Sequence, residues 1–318
     1  MNQSLFLQLD LPALMAATLA ACLCALLGNF MVLRKSAMLG DAISHAVLPG
    51  IVLSFLILGT RNSYAMLAGA AVAGAITAAL IELIRRYGKV ESGAATGVVL
   101  CAMFALGVVL MERTARNVDL DADCVLYGAL EGISWGAADQ WAALSEWATW
   151  MAMPRQVVTL AVLYVVSLAI IVALYKVLRL VCFDAGLAAS LGFRPGLIGL
   201  GLSALVAAAA VGAFEAVGSI LVVSMLVCPP AAAAKLSTKL ATRIVLSQVL
   251  AVVCAVGGYT LAVYAPRLWA SPHAVSASGM MAVVGGLVLV VCVGVERLIA
   301  GRSAGSARSA RTGRYDRA

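Results

Sequence analysis

Residues 38–50 read MLGDAISHAVLPG, which places Asp41, His45 and Pro49 inside an apolar run long enough to cross a membrane. Charge within a bilayer is costly, so it usually has a functional reason. Asp41 and His45 are four residues apart, which puts both side chains on one face of a helix, one turn above the other. A carboxylate and an imidazole are ligand types that first-row divalent metals accept, and Pro49 removes a backbone donor one turn further on. The spacing fits a pair of metal ligands and a polar pair that holds helices together equally well.

The composition around this stretch is that of a polytopic membrane protein. The 318 residues are 63% hydrophobic and only 12% charged, with a mean hydropathy of +1.03, which lies outside the range of soluble globular domains. A net charge of +7 would suit a nucleic-acid partner, but basic residues that cluster at the ends of membrane spans have a simpler cause in topology. We therefore predict membrane lipid, and no nucleic acid, as the surroundings of this chain. No basic segment precedes the first apolar run, so a cleaved signal peptide is not expected.

Nine apolar runs are long enough to cross a bilayer as helices, because a membrane core requires about 20 residues. They predict an all-α fold with nine transmembrane helices in one membrane domain, residues 1–300. Residues 301–318 contain many arginines and almost no apolar side chains, so we expect a disordered basic cytoplasmic tail. The predicted spans are residues 11–33, 38–58, 64–81, 93–111, 157–175, 196–213, 217–234, 244–265 and 279–295.

The basic residues choose the orientation, because loops on the cytoplasmic side carry more Lys and Arg. With nine spans, the two termini fall on opposite sides of the membrane. If the N-terminus is outside, 17 of the 22 Lys and Arg residues lie in inner segments and the tail. We therefore predict an outer N-terminus and a cytoplasmic C-terminus, with Asp41 and His45 in the first turns after the chain enters from the cytoplasm. The five basic residues left outside are Arg61, Arg113, Arg116, Arg155 and Arg267.

The longest outer segment, residues 112–156, holds four of the five tryptophans. Acidic and amide residues interrupt its second half, so we predict an amphipathic helix in the headgroup layer rather than a tenth span. Asp119, Asp121 and Asp123 precede it and form either an acidic mouth that concentrates cations or an ordinary solvated loop. His273, in the outer loop before the last span, is interpreted as a solvated side chain.

Two further stretches carry polar groups close to the membrane. Asp184 is positioned to cap a short helix that ends before Gly192, and this helix is either a docking surface for a soluble partner or a plain connector. Glu215 either lines a cation path or faces water at the outer boundary, where a charge costs little. Pro229 and Pro230 remove two backbone donors from the seventh span and indicate a kink or an unwound segment there.

At this point the sequence resembles a known family, the metal-ion permeases of bacterial ABC importers, which bring manganese, zinc or iron across the inner membrane. The run VLRKSAMLGDAISHAVLPGIVL resembles the signature of that family. Further matches are DLDADCVLYG, FDAGLAASLGF and FEAVGSILVVSMLVCPPAAAAKL, and the likeness covers roughly residues 10–300. The resemblance implies a multi-pass permease of the bacterial inner membrane.

The resemblance also implies partners and a site. In that family the permease pairs with itself or with a related permease, two separate cytoplasmic ATPase subunits lie below, and an extracytoplasmic binding protein delivers the ion. Asp41 and His45 match the intramembrane metal ligands of the family, and Glu215 matches an acidic pathway position less distinctly. The segment matching the ATPase coupling helix consists of Asp184, Ala185, Gly186, Leu187, Ala188, Ala189, Ser190, Leu191 and Gly192.

The transported ion is then Mn²⁺, Zn²⁺ or Fe²⁺, with no permanently bound cofactor. The DLDADCVLYG stretch looks more like manganese-type members, and the presence of only two histidines lowers zinc without excluding it. The chain contains no GxxxxGK[ST] phosphate loop, so we predict a permease subunit that is not an enzyme and relies on a partner for ATP hydrolysis.

Two rival interpretations stay open on the residues alone. In a proton-coupled secondary metal transporter, Asp41 and His45 would serve as a proton relay as well as a metal site. In an intramembrane hydrolase they would serve as acid and base, although no serine, cysteine or metal motif stands beside them at a suitable spacing. The first rival is distinguished by transport that does not need an ATPase.

Overall fold

A computed structural model of the chain describes residues 6–36, 38–58, 63–114, 130–138, 141, 146–268 and 276–315, and these residues form helices without a strand. Nine of the described helices are long and apolar enough to cross a membrane, which confirms the predicted all-α fold and span number. The helices are α1 Leu11–Leu33, α2 Leu39–Leu58, α3 Ser63–Gly88, α4 Ser92–Thr114, α5 Trp147–Met151, α6 Arg155–Phe183, α7 Ala185–Ser190, α8 Pro195–Val217, α9 Ser219–Leu236, α10 Leu240–Leu268 and α11 Ala277–Tyr315. One π-helical turn, Phe6–Asp10, precedes α1.

The links between helices define two ends of the bundle. The α7 end holds α7 itself and the short links after α1, α3 and α9. The opposite end holds Gly218, which joins α8 to α9 with a φ of 80°, a backbone conformation that favours glycine. At that end Tyr259 donates a 2.7 Å hydrogen bond to Asp10 and fixes α10 to the start of α1. Which end faces the cytoplasm stays a prediction.

Helix α1 is the centre of the bundle. Every residue from Leu23 to Met31 is buried, and α1 packs against α6, α8, α9 and α10. Helix α2 packs mainly against α3 and α4, and also against α8. The last third of α1 is thus enclosed by other helices, as expected for a span in the interior of a membrane bundle.

The tryptophan-rich segment differs from the sequence-based expectation. Among the described residues of 130–151, a 3₁₀ turn covers Leu130–Gly132 and the five-residue helix α5 covers Trp147–Met151, while residues 139, 140 and 142–145 lie outside the described part. Trp135 is fully buried, donates its indole N–H to the Thr149 carbonyl at 3.1 Å and packs edge-on against Trp150. Trp135 thus departs from the predicted headgroup position, whereas Trp141, Trp147 and Trp150 are exposed, and their place in the headgroup layer stays a prediction.

Two other sequence-based expectations are modified. Helix α9 stays helical through Pro229 and Pro230, so the prolines do not unwind it. Helix α11 continues to Tyr315 and makes most of the arginine-rich tail helical, where disorder was expected. Alanine and arginine are both strong helix formers, which favours a helical backbone in this segment. The division of the chain at residue 300 stays a prediction.

Small residues let the central helices approach closely. A Cβ atom added at Gly28 would lie 2.1 Å from the Leu226 carbonyl oxygen and 2.8 Å from Pro230. Pro230 has no N–H to donate to that carbonyl, so the backbone of α9 can lie directly against α1 at this point. Gly50 and Gly69 create a second close approach, between α2 and α3, where each added Cβ would clash with the carbonyl of the other residue. Packing of this kind replaces the hydrophobic driving force that helices lack inside lipid.

We expect Gly28→Ala to destabilise the bundle by about 1–3 kcal/mol, because the new methyl group meets backbone atoms of α9 that cannot rotate away. The measurement is the midpoint of thermal unfolding of the purified protein in detergent. Gly97→Ala is the matched control, since an added Cβ there meets no atom within 4 Å. A Gly28→Ala midpoint equal to that of the control would contradict the close packing of α1 on α9.

Candidate metal site

Asp41 and His45 lie together on one face of α2. Nε2 of His45 is 3.8 Å from Oδ1 of Asp41, which is too long for a hydrogen bond. Two donors that each lie about 2.1 Å from one metal ion can be separated by up to about 4 Å, so the observed spacing admits a shared ion. Ser44 donates a 2.6 Å hydrogen bond to the Asp41 carbonyl and does not compete for the carboxylate. The pair therefore fits the chemistry of a divalent metal.

The pair lies at middle depth in the bundle. Asp41 and His45 occupy the first turns of α2, as predicted. The residue between them, Ile43, lies beside Gly74, where an added Cβ would also be 3.4 Å from Ala207. Gly74 and Ala207 are close to the midpoints of α3 and α8.

Helix α4 forms the wall beside His45. The Phe104 ring meets the imidazole edge-on, with 5.2 Å between the ring centroids and an interplanar angle of 82°. One turn further along, an added Cβ at Gly107 would lie 2.9 Å from Cδ of Pro49. Because Pro49 lacks an N–H, it cannot donate the usual helical bond to the His45 carbonyl. The His45 ring thus packs against Phe104 of α4, and the His45 carbonyl lacks its usual helical donor because of Pro49 in α2.

The pair is open at the surface of the single chain. The Asp41 side chain is 51% exposed and the His45 side chain 33% exposed. Within the described ranges, no group of three His, Cys, Asp or Glu side chains is placed to hold an ion. Sites for divalent metals usually have four or more ligands, two more than this pair provides.

A buried cluster of charged side chains lies at the link between α1 and α2. The sequence analysis did not predict it. The Arg34 side chain is 10% exposed, donates from Nη1 to the Gly199 carbonyl at 2.9 Å and lies 3.7 Å from Glu82. Glu82 also accepts a 2.6 Å hydrogen bond from Arg85. Burial lowers the pKa of the Arg34 guanidinium, while the neighbouring Glu82 carboxylate acts in the opposite direction. The sequence offers only a weak signal, because Glu82 directly follows the predicted span 64–81 and is close to Arg85 and Arg86.

The predicted capped helix is present. Asp184 accepts a 2.9 Å hydrogen bond from the Leu187 amide at the start of α7. Gly192, with a φ of 86°, follows the helix and allows the chain to turn into α8. Leu187 and Leu191 are exposed, whereas Ala188 is fully buried. Helix α7 thus offers an apolar outer face on a firmly seated base, while its role in docking an ATPase stays a prediction.

The remaining candidates are separate from the Asp41–His45 pair. Glu215 lies near the opposite end of the bundle, where its Oε1 atom is 3.3 Å from Nη2 of Arg155 at the start of α6. Glu215 therefore has Arg155 as an oppositely charged neighbour. The role of Glu215 in a cation path stays a prediction. Asp119, Asp121, Asp123 and His273 lie outside the described residues.

Comparison with known proteins agrees with this architecture. The ABC 3 transport family matches residues 7–144 and 150–293. The chain is 37% identical to the manganese transport system membrane protein MntD of Bacillus subtilis over 265 residues, which covers 83% of this chain and 84% of MntD. It is 37% identical to the zinc transport system membrane protein TroD of Treponema pallidum over 255 residues, which covers 80% and 67%.

A solved structure shows the same fold. The structure described as PsaBC from Streptococcus pneumoniae in complex with Fab aligns with a TM-score of 0.67 and 26% identity, and the alignment covers 89% of this chain and 90% of that chain. The family match spans nearly all of the membrane helices and confirms the resemblance drawn from the sequence motifs. The chain therefore belongs to the ABC 3 transport family, as a multi-pass permease subunit of the bacterial inner membrane and not as an enzyme.

Proposed function

We propose that this chain is the permease subunit of an importer that carries a divalent transition-metal ion into the cytoplasm. The observation that carries the proposal is the Asp41–His45 pair, which places a carboxylate and an imidazole 3.8 Å apart at middle depth in a membrane bundle. The metal is cargo rather than a resident cofactor. A transport site must take an ion from water and release it again, and a few mixed oxygen and nitrogen ligands suit this better than a closed thiolate cage.

A second permease copy, or a related permease, completes the site in this proposal. A half-exposed carboxylate at the middle of a bilayer would otherwise face hydrocarbon, at a cost of several kcal/mol. Covering the α2 face with a second chain removes that cost and brings a second set of ligands to the ion. Two copies would supply two carboxylates and two imidazoles, a set that manganese, iron and zinc all accept.

Manganese is the favoured cargo. The DLDADCVLYG stretch resembles manganese-type members, and the small number of histidines argues against the histidine-rich loops of some zinc-type members. MntD and TroD are equally similar to this chain, and a relative from Haemophilus influenzae is described as a probable iron transport system membrane protein. Overall similarity therefore does not discriminate between the metals, and the choice of manganese rests on the sequence motif.

The energy and the cargo come from partners. Two cytoplasmic ATPase subunits dock on the α7 end, and an extracytoplasmic binding protein delivers the ion to the opposite end. The charge count supports this orientation, because most Lys and Arg residues lie at or beyond the α7 end. Membership in an ABC family removes the hydrolase alternative. The proton-coupled alternative is excluded if metal uptake into vesicles requires the ATPase subunits.

We expect Asp41→Ala and His45→Ala each to lower manganese uptake about tenfold or more, because each removes a direct ligand, and even outer-shell changes cost metal sites 10–100-fold. The measurement is initial uptake of Mn²⁺, Zn²⁺ and Fe²⁺ into cells at equal amounts of membrane protein. Ser44→Ala is the matched control on the same turn, since its hydroxyl serves only the Asp41 carbonyl. Normal uptake by both alanine variants would overturn the site assignment.

We expect Asp184→Ala to weaken co-purification with the ATPase subunits and to lower uptake, because loss of the cap costs about 0.5–2 kcal/mol in a helix of only six residues. The measurement is the amount of ATPase recovered with the tagged permease. Asp184→Ser is the matched variant, since serine is also a strong N-cap and should restore most of the recovery. If the serine and alanine variants recover equally little ATPase, loss of the helix cap is not the cause of the weaker co-purification.

A further inference from the structure

The side chain of Arg34 joins three helices that are distant in sequence. Arg34 is the first residue after α1. Its guanidinium lies 3.7 Å from Glu82 on α3 and donates a 2.9 Å hydrogen bond to the Gly199 carbonyl in the first turns of α8. Only a planar group with several N–H donors can reach both partners at once. Both side chains of the pair are largely buried, at 10% and 15% exposure, so this contact is screened far less than a surface ion pair.

The link that follows Arg34 transmits its position to α2. Lys35 has a left-handed φ of 55°, and the Ser36 amide donates back to the Met31 carbonyl at 2.9 Å. The Leu39 amide then donates to the Ser36 carbonyl at 3.1 Å and starts α2. These bonds fold the link into a compact turn on the last turn of α1. Asp41 is the third residue of α2, so a displacement of Arg34 is felt within one turn of the metal ligands.

On the other side, Gly199 lies in the first turns of the helix that follows α7. The Phe193 amide donates to the Ala188 carbonyl at 3.1 Å, which folds the end of α7 against the short connection into α8. A cavity of about 330 Å³ separates this unit from the end of α1, with Leu33, Ala185 and Pro195 among its lining residues. Close packing is therefore interrupted by this cavity. Arg34 reaches across it through its hydrogen bond to the Gly199 carbonyl and its ion pair with Glu82.

We propose that Arg34 is a positioning residue that couples movement of α7 to the geometry of Asp41 and His45. This inference rests on the proposed function, in which ATPase subunits move α7. When α7 and the first turns of α8 shift, the Gly199 carbonyl moves and the hydrogen-bonded guanidinium of Arg34 moves with it. The compact turn after Arg34 then displaces the start of α2. Without Arg34, the ATPase subunits still hydrolyse ATP, but Asp41 and His45 stay in one arrangement. The signature of this role is a loss of ions moved for each ATP hydrolysed.

Two variants remove the connection in different ways. Arg34→Gln removes the charge and the long fork. Gly199→Ala leaves every charge in place, but its new Cβ would lie 2.5 Å from a guanidinium nitrogen of Arg34, a flexible group that moves aside and abandons the carbonyl. Gly201→Ala is the matched control on the same helix, since an added Cβ there meets nothing within 4 Å. Lys235→Gln is the charge control, because it breaks a more exposed pair with Glu296.

The experiment uses the complete complex of permease, ATPase subunits and binding protein in liposomes, with Mn²⁺ as the probe. Complex recovery, ATPase rate and Mn²⁺ transport are measured for each variant. We expect Arg34→Gln and Gly199→Ala to hydrolyse ATP at close to the wild-type rate and to move roughly tenfold fewer ions per ATP, within the range in which single positions modulate coupling between sites. Both controls should keep the wild-type ratio.

The outcomes separate this role from the alternatives. A wild-type ratio in Arg34→Gln and Gly199→Ala would overturn the inference. A parallel fall of ATPase rate and transport, with an unchanged ratio, would also overturn it and assign Arg34 a purely structural role. Failure of the wild-type complex to move Mn²⁺, Zn²⁺ or Fe²⁺ would overturn the proposed function itself, and this inference with it.

Discussion

The arrangement of the whole bundle depends on the cost of holding a carboxylate at middle depth in a membrane. Asp41 is half exposed on the single chain, beside an imidazole that is one-third exposed. Neither group can face hydrocarbon without a large loss of hydration. The fold therefore has to present this face to another protein surface or to a water-filled cavity. This requirement is the physical basis for the proposal that a second chain covers the α2 face.

Close backbone packing holds the costly pair in place. The last third of α1 is enclosed by other helices, and at Gly28 it touches the backbone of α9 at the carbonyl that Pro230 leaves without its helical donor. Gly50 and Gly69 bring α2 and α3 equally close. Inside lipid, association of helices depends on such contacts between small residues more than on hydrophobic burial. Pro49 and Pro230 both lie inside continuous helices, and each contacts a glycine of a neighbouring helix.

Hydropathy and local motifs predicted much of this molecule. Nine apolar runs identified the nine spans, and Asp184 followed by small residues and Gly192 predicted the cap and the end of α7, because these features depend only on neighbours in sequence. The contacts of Arg34 were not predictable in this way, because Glu82 and the Gly199 carbonyl come from helices far apart in the chain.

The same limitation applies to other polar groups. Glu215 suggested a cation path when considered alone, but the fold gives it Arg155 as a neighbour. Tryptophans suggested a headgroup layer, but the Trp135 indole found a carbonyl acceptor inside the protein. Local pattern fixes which residues are unusual for a membrane span. Tertiary contacts decide which of these residues pair with each other and which are left for a ligand.

A half-site has a consequence for how an ion can be both captured and released. If two chains each contribute one carboxylate and one imidazole, the number of ligands that reach the ion depends on the distance between two α2 helices. A small separation of these helices changes the coordination from four protein ligands to two, and affinity falls steeply because each lost ligand must be replaced by water. Release then needs no chemical change in Asp41 or His45. It needs only a rigid movement of the element that carries them, and the compact turn between α1 and α2 makes that element rigid from its first residue.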